Sequence, residues 1–221
     1  MKIIAHIKTD FPTKFGLPRQ SGLNSEIKGK IVFEKQYRNP DAVRGLEDFS
    51  HIWILWQFSF SLKADWSPTV RPPLLGGNKK VGVFATRSPF RPNPIGISSV
   101  RLERIEYSTR LGPVLYVSGC DLMDNTPIYD IKPYLPYTDC HLDANGGFTD
   151  NLEERKLIVE IPEALLNKIP KDKQNELKAS LAMDPRPSYI DESDRVYGFN
   201  FSGFEIKFTV ERGTLTVVDI V

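Results

Sequence analysis

No stretch before about residue 150 is long enough to hold the repeated crossover helices that parallel strands need, and this limits the fold more than any other feature of the chain. What fills that region instead is a series of short segments rich in β-branched and aromatic residues: Ile3–Ile7, Lys30–Glu34, His51–Ser61, Val81–Ala85, Ile97–Tyr107 and Pro113–Leu122. Gly, Pro, Asn and Asp separate them, which is the pattern of strands and turns. In Ile97–Tyr107 the apolar residues Ile97, Val100, Leu102 and Ile105 alternate imperfectly with polar ones, as in a sheet with one wet face and a bulge. A single short helix is expected over Asp41–Phe49, capped by Asn39 and opened by Pro40. The expectation is a mainly β, antiparallel barrel over residues 1–142.

The stretch Asp143–Glu154 is polar and glycine-containing and reads as a connector. Beyond it, residues 155–221 form a small α+β unit. Arg155–Ile161 reads as a strand, and Pro162–Ala182 as helical with a break at Pro170, because proline has no amide to donate. Leu177 and Leu181 fall on one helical face. After the turn Asp184–Tyr189, the segments Val196–Phe201, Phe204–Val210 and Thr214–Val221 read as an antiparallel meander turning at Gly203 and Gly213.

With 29 Lys and Arg against 28 Asp and Glu, the formal net charge is +1, so any attraction for a polyanion must come from a local patch. Cys120 and Cys140 follow no secretory leader and are expected to be free thiols in a reducing cytoplasm. His6, His51 and His141 are far apart and no C-x-x-C pair occurs, so no structural metal is expected. The longest apolar run, Ile52–Phe60, is too short to span a bilayer, and no membrane association is expected.

Chemistry is concentrated in four places. F-A-T-R-S-P-F-R-P-N-P-I-G-I-S, from Phe84 to Ser98, holds Pro89, Pro92 and Pro94, which cannot join a central ladder. It reads as a stiff exposed loop presenting the guanidinium forks of Arg87 and Arg91 and the amide of Asn93, though a proline-stiffened connection with solvated arginines has the same sequence. C-D-L-M-D-N-T-P-I-Y-D-I-K-P-Y-L-P-Y, from Cys120 to Tyr137, crowds Asp121, Asp124 and Asp130 near Lys132 and Tyr134. In extended backbone Asp130 and Lys132 face one side and can pair; the plainer reading is an Asx turn followed by a surface ion pair. L-P-R-Q-S-G-L, from Leu17, carries Arg19 and Gln20, and F-S-H-I-W-I-L-W, from Phe49, places His51 at the mouth of an aromatic strand.

Together these segments, with D-A-V-R-G-L-E-D-F-S-H-I-W-I-L, T-V-R-P-P-L-L-G-G-N and D-P-R-P-S-Y, resemble the TsaA-like (TrmO) family of tRNA threonylcarbamoyladenosine methyltransferases. The family's acidic turn usually reads D-G-T-P, whereas Asn125 stands here at the glycine; asparagine tolerates a left-handed backbone, so the turn is expected to survive. The resemblance implies a β-barrel methyltransferase that uses S-adenosylmethionine, works as a homodimer and acts on tRNA. It implies cofactor contacts at Pro18, Arg19, Gln20, His51, Ile52, Arg87, Ser99, Asp121, Leu122, Met123 and Asp124. That agrees with the missing dinucleotide fingerprint G-x-G-x-x-G.

On chemistry, an arginine suits the cofactor's carboxylate and an aspartate its ribose hydroxyls, so Arg87 and Asp121 or Asp124 are expected in those roles. Asp130 is expected as the base, with Lys132 or Tyr134 orienting the carbamoyl group. Arg91, Asn93, Arg186 and Tyr189 are expected to contact RNA. Two other readings share the same pocket: a module that senses S-adenosylmethionine, and a methyltransferase with another substrate.

Overall fold

A computed structural model of the chain describes residues 1–58, 66–150, 156–186 and 195–221. Its first unit contains β1 (Ala5–Lys8), β2 (Lys28–Phe33), β3 (His51–Gln57), β4 (Thr69–Val70), β5 (Val81–Gly82), β6 (Ile95–Ser108), β7 (Gly112–Ser118), β8 (Pro127–Pro133) and a one-turn helix, α1 (Pro136–Asp139). Six of these strands close an antiparallel barrel in the order β1-β2-β7-β6-β3-β8, with β8 returning to β1. β4 and β5 pair apart from it as a small flap.

Strand periodicity sorts the side chains. Ile7, Ile31, Ile52, Ile54, Leu115 and Ile128 point inward and are fully buried, each worth roughly 1.5–3 kcal/mol relative to exposure. Along β6 the inward set is Gly96, Ser98, Val100 and Leu102, and the expected bulge appears as a register shift between Leu102 and Arg104. Trp56 enters the barrel because Gly96 lies opposite it; a Cβ there would stand 2.2 Å from the indole.

Three local expectations need correction. Asp41–Phe49 is not one helix but two 3-10 turns, Pro40–Val43 and Leu46–Asp48, because Gly45 between them takes φ 81°. Asn39 still caps the first, its side chain accepting from the Asp41 amide at 3.0 Å. Val81–Ala85 is a strand for only two residues before a 3-10 turn at Val83–Ala85, since β4 is its one partner. The last residues of His51–Ser61 fall outside the described residues. β8, treated in sequence terms as an acid-rich bend with an extended portion, is the strand that closes the barrel.

The second unit holds β9 (Ile158–Glu160), α2 (Glu163–Leu166), α3 (Gln174–Ala182), β10 (Tyr197–Phe201), β11 (Phe204–Glu211) and β12 (Thr214–Ile220). The meander is as expected, ordered β10-β11-β12, and β9 adds to it parallel to β12. Its two turns place Ser202 and Gly203 at φ 50° and 86°, and Arg212 and Gly213 at 48° and 82°. Two successive left-handed residues match the twist of a two-residue hairpin. The helical stretch breaks at Pro170, where a 3-10 turn, Lys171–Lys173, leads into α3.

The two units share one buried cluster. Phe11 meets Phe201 edge to face at 5.2 Å, and the Ser202 amide donates to the Asp10 carbonyl at 2.8 Å. The Ser180 hydroxyl donates to the Gly16 carbonyl. Glu176 is 2% exposed, accepts from the Lys28 amide at 3.3 Å, and lies 3.5 Å from Lys173, which also pairs with Asp10. Burial pushes the Glu176 carboxyl up to about 7 despite the lysine.

Candidate active site

The site begins at the end of the barrel where three loops meet. Ser98 faces inward on β6 and is fully buried, so its hydroxyl needs partners. It accepts from the Trp56 indole at 2.9 Å and donates to the Asp121 carboxylate at 2.6 Å. This relay fixes Asp121 in a half-buried position just after β7. Burial raises the Asp121 pKa; hydrogen bonds from Ser98, its own amide and the Ser21 amide, together with the Arg87 charge, pull it back.

The Arg87 guanidinium donates to the Gln20 side-chain oxygen at 2.6 Å. The Ser21 hydroxyl in turn accepts from the Ser99 amide at 3.1 Å, laying residues 17–23 across β6. Gln20, Ser21, Arg87, Ser98, Ser99 and Asp121 are thereby joined. Three expected cofactor segments, widely spaced in sequence, meet in one place.

Around this group the other expected residues take different positions. Pro18 is buried beneath the loop, and Arg19 is exposed with its carbonyl accepting from Gln20. Ile52 and Leu122 belong to the core, so only their backbone can face a ligand. Met123 is half-buried, its carbonyl accepting from the Thr126 hydroxyl at 2.8 Å. Asp124 accepts from the Thr9 amide at 3.1 Å and lies 3.8 Å from Lys8. Asn125 takes φ 64°, so the acidic turn keeps its left-handed residue without a glycine; Lys8 donates to its side chain at 3.0 Å.

A second group lines the outer face of β3 and β8. Lys132 pairs with Asp130 at 2.9 Å, as their spacing allowed. Tyr134 lies 5.5 Å from Trp53 and 6.3 Å from His51, ring to ring, and the Ser50 hydroxyl bonds His51 Nδ1 at 2.9 Å. The Trp53 indole donates to Asp139 at 2.7 Å, and the Leu135 amide and this indole hold the Asp139 carboxyl low. Burial, with Cys140 and Asp139 adding, raises the Tyr134 pKa, so it stays a neutral phenol donor. Trp53 stands opposite Ser99 on one side and Lys132 on the other. Two strand spacings, about 10 Å, therefore separate Ser99 of the first group from Lys132 of the second, with Trp53 between them.

Sequence reasoning overlooked Ser98, Ser21, Trp53 and Asp139. Ser98 was detectable as a polar residue on the inward register of an alternating strand, and Trp53 as the outward neighbour of an inward Ile52. Ser21, from a loop, and Asp139, at the end of α1, reach strands distant in sequence, which no periodicity reveals.

Of the expected RNA contacts, Arg91 lies 6.0 Å from the Phe84 ring and Asn93 is exposed beside it. Arg186 closes its fork on Asp184, at 2.8 and 2.9 Å. Tyr189 lies outside the described residues. Of the four lysines between residues 160 and 180, Lys168 donates to the Ile220 carbonyl at 2.6 Å and Lys173 faces the inter-unit contact, while Lys171 and Lys178 are exposed. Cys120 is buried, Cys140 exposed, and both are free.

Residues 6–140 match the family described as the tRNA-methyltransferase O N-terminal domain, and residues 154–221 match the TrmO C-terminal domain. The chain is 40% identical over 215 residues to the tRNA (adenine(37)-N6)-methyltransferase of Escherichia coli (strain K12), covering 94% of this chain and 91% of that one. It is 37% identical over 226 residues to a putative S-adenosylmethionine-dependent methyltransferase, RcsF, of Pseudomonas aeruginosa, covering 98% and 95%. A solved structure titled "Crystal structure of TrmO" superposes with a TM-score of 0.79 at 32% identity, covering 99% of this chain and 97% of that one.

Proposed function

The chain belongs to the TrmO family, and from that premise we propose that its barrel-end cleft holds S-adenosylmethionine for methylation of N6-threonylcarbamoyladenosine in tRNA. The activity is S-adenosylmethionine-dependent methylation of tRNA at N6 of an adenine near the anticodon. One observation carries the site: the convergence of Gln20, Arg87 and the Ser98-held Asp121.

That donor set fits the cofactor. A guanidinium matches an amino-acid carboxylate, a half-buried carboxylate matches vicinal ribose hydroxyls, and backbone and amide groups match an adenine edge. Arg87 takes the carboxylate and Asp121 the ribose, with Asp124 flanking it; Pro18, Arg19, Gln20, His51, Ile52, Ser99, Leu122 and Met123 line the remainder. When bound, the cofactor supplies an electrophilic methyl carbon on a sulfonium. Everything else is placement, since an in-line displacement needs the nucleophile held at about 3 Å in the right direction.

The threonylcarbamoyl group delocalises the N6 lone pair and acidifies its proton. Asp130 accepts that proton, while Lys132 and Tyr134 orient the carbamoyl oxygen. Lys132 sits against Asp130 at 2.9 Å, so the carboxylate and its orienting cation act as one unit. Residues 1–142 form the cofactor unit, and residues 155–221 contribute RNA contacts through Arg186 and Tyr189, alongside Arg91 and Asn93 from the barrel. A cytoplasmic homodimer completes the reading, on the strength of the family likeness. Among the described residues no helix is long and apolar enough to cross a membrane.

The test is mass analysis of nucleosides from tRNA incubated with the protein and labelled cofactor, with one added methyl expected on threonylcarbamoyladenosine. Asp130→Asn should lower kcat about 100-fold while cofactor affinity holds. Near-full turnover in that variant would remove Asp130 from the mechanism.

A further inference from the structure

The chain as a whole is almost electroneutral, yet between Asp65 and Glu103 it contains no acidic residue at all. The same stretch holds Arg71, Lys79, Lys80, Arg87, Arg91 and Arg101. Arg87 faces the cofactor cleft and Arg101 lies 3.5 Å from Glu103. Arg71, Lys79 and Lys80 are exposed and have no carboxylate partner among the described residues. These cations sit on or beside the β4–β5 flap, which the Ser67 amide ties to the proline segment by donating to the Phe90 carbonyl at 3.3 Å.

On the same flap Phe84 is 72% exposed and Trp66 49% exposed, and their rings stack at 6.1 Å with an interplanar angle of 22°. Arg91 lies 6.0 Å from the centre of the Phe84 ring, and Leu74 extends the apolar surface at 40% exposed. Val83, beside Phe84, is buried and its amide donates to the Pro68 carbonyl at 3.0 Å, so the backbone that carries the ring is anchored. Flat aromatic faces left open to water beside an anchored turn, in a stretch that carries cations and no acid from Trp66 to Leu102, fit a polyanion with π-faces of its own. Unpaired RNA bases stack on such rings whatever their identity, while lysine and arginine neutralise the phosphates.

Position matters as much as composition. Phe84 precedes Arg87 by three residues, so even a fully extended chain keeps the two within about 11 Å. A base lying on Phe84 is therefore a close neighbour of whatever occupies the cofactor cleft. Self-association through this patch about a two-fold axis would instead set like charges against one another, which is repulsive.

We propose that Trp66 and Phe84, with Arg71, Lys79, Lys80 and Arg91 around them, form the platform on which unpaired bases of the tRNA anticodon loop stack beside the methyl-transfer site. This rests on the tRNA reading above and adds the surface that receives the loop. It shifts the main RNA contact onto the barrel unit, where exposed cations and open aromatic faces lie together, and away from the second unit, whose Arg186, Lys168 and Lys173 are already engaged and whose exposed Lys171 and Lys178 have no such rings beside them in sequence.

The experiment measures steady-state methylation of tRNA and gel-shift binding of an isolated anticodon stem-loop by the parent protein, Phe84→Ala, Trp66→Ala, Phe84→Tyr and Lys79→Ala/Lys80→Ala. Phe84→Ala and Trp66→Ala should each raise the KM for tRNA and weaken stem-loop binding about tenfold, leave the KM for S-adenosylmethionine unchanged, and leave the thermal midpoint in place. Phe84→Tyr should restore binding, because it keeps a π-face. The double lysine variant should weaken binding at all sequences and flatten the salt dependence by about one to two units of slope. If the parent methylates tRNA and the aromatic variants match it in KM and binding, the platform is wrong while the tRNA reading stands. If the parent binds the stem-loop through Phe84 but methylates no tRNA, the platform stands and the activity reading falls. If Phe84→Ala instead halves the mass seen by light scattering, the patch is a subunit interface and the proposal is overturned.

Discussion

Replacing Ser98 with alanine separates the contribution of the buried relay from that of the cleft it supports. In the native chain one hydroxyl serves two groups, accepting from Trp56 at 2.9 Å and donating to Asp121 at 2.6 Å. Its loss leaves the Trp56 indole N–H buried without a partner, which costs about 1–3 kcal/mol, and removes a bond to a charged acceptor worth about 1.5–3 kcal/mol. Asp121 is half-buried and recovers part of the second amount from water, so Ser98→Ala should unfold with roughly 2–4 kcal/mol less stability. Its pH behaviour is the sharper readout. Burial already sets the folded Asp121 pKa above its usual value and Ser98 opposes that shift. An acid raised on folding holds its proton better in the folded state, so its contribution to stability falls as pH climbs from the ordinary carboxylate range through the folded pKa. Without Ser98 the folded pKa rises further, and the decline should extend to higher pH. If Asp121 binds the ribose as a carboxylate, the acid limb of S-adenosylmethionine binding, measured by calorimetry, should move the same way. Trp56→Phe is the control: it removes the indole donor but leaves Ser98 on Asp121, so it should destabilise the chain without moving that limb. A Ser98→Ala protein with an unaltered acid limb and native affinity would refute the view that this relay sets the state of Asp121.

Two further outcomes follow from neighbouring contacts. Glu176, raised to about 7, should make stability fall as pH rises from the usual glutamate range through 7, and Glu176→Gln should flatten that fall in urea titrations at pH 5 to 8.5; the gain at high pH is at most about 3 kcal/mol, reduced by the attraction Lys173 loses. Asn125→Gly should change stability by no more than about 0.5 kcal/mol, since relief of a left-handed backbone offsets the lost Lys8 contact, whereas Asn125→Val should cost about 1–3 kcal/mol in thermal melts.

The barrel was legible because its strands obey one rule, alternation against a single core, and because proline and glycine mark where each stops. β8 was hard to see for the opposite reason: Asp130, Lys132 and two prolines dominate its composition, and the outward Asp130 and Lys132 draw notice away from the buried Ile128. The helix expected over Asp41–Phe49 failed on one residue, Gly45, whose left-handed backbone interrupts an otherwise acceptable cap and pattern. Within the site, Arg87, Gln20 and Asp121 stood out by residue type and by family likeness. The relay through Ser98 and Trp56 depends on two side chains facing each other across β3 and β6, and that pairing exists only once the register is set.

Barrel closure itself is uneven around the ring. β3 and β6 are zipped over seven residue pairs, but β1 and β8 meet over just Ala5↔Ile128 and His6↔Pro127, and Pro127 has no amide to give. The acidic turn compensates by fastening onto β1 and the residues just after it: the Asn125 amide donates to the Ile7 carbonyl at 2.8 Å, the Asp124 amide to the Phe11 carbonyl at 2.7 Å, and the Asp124 carboxylate accepts from the Thr9 amide. The turn thus works as a clasp over the barrel's weakest seam. Any ligand that steadies Asp121–Asp124 would also slow the opening of that seam, so amide exchange in β1, about a strand's length from the chemistry, would report occupancy of the cleft.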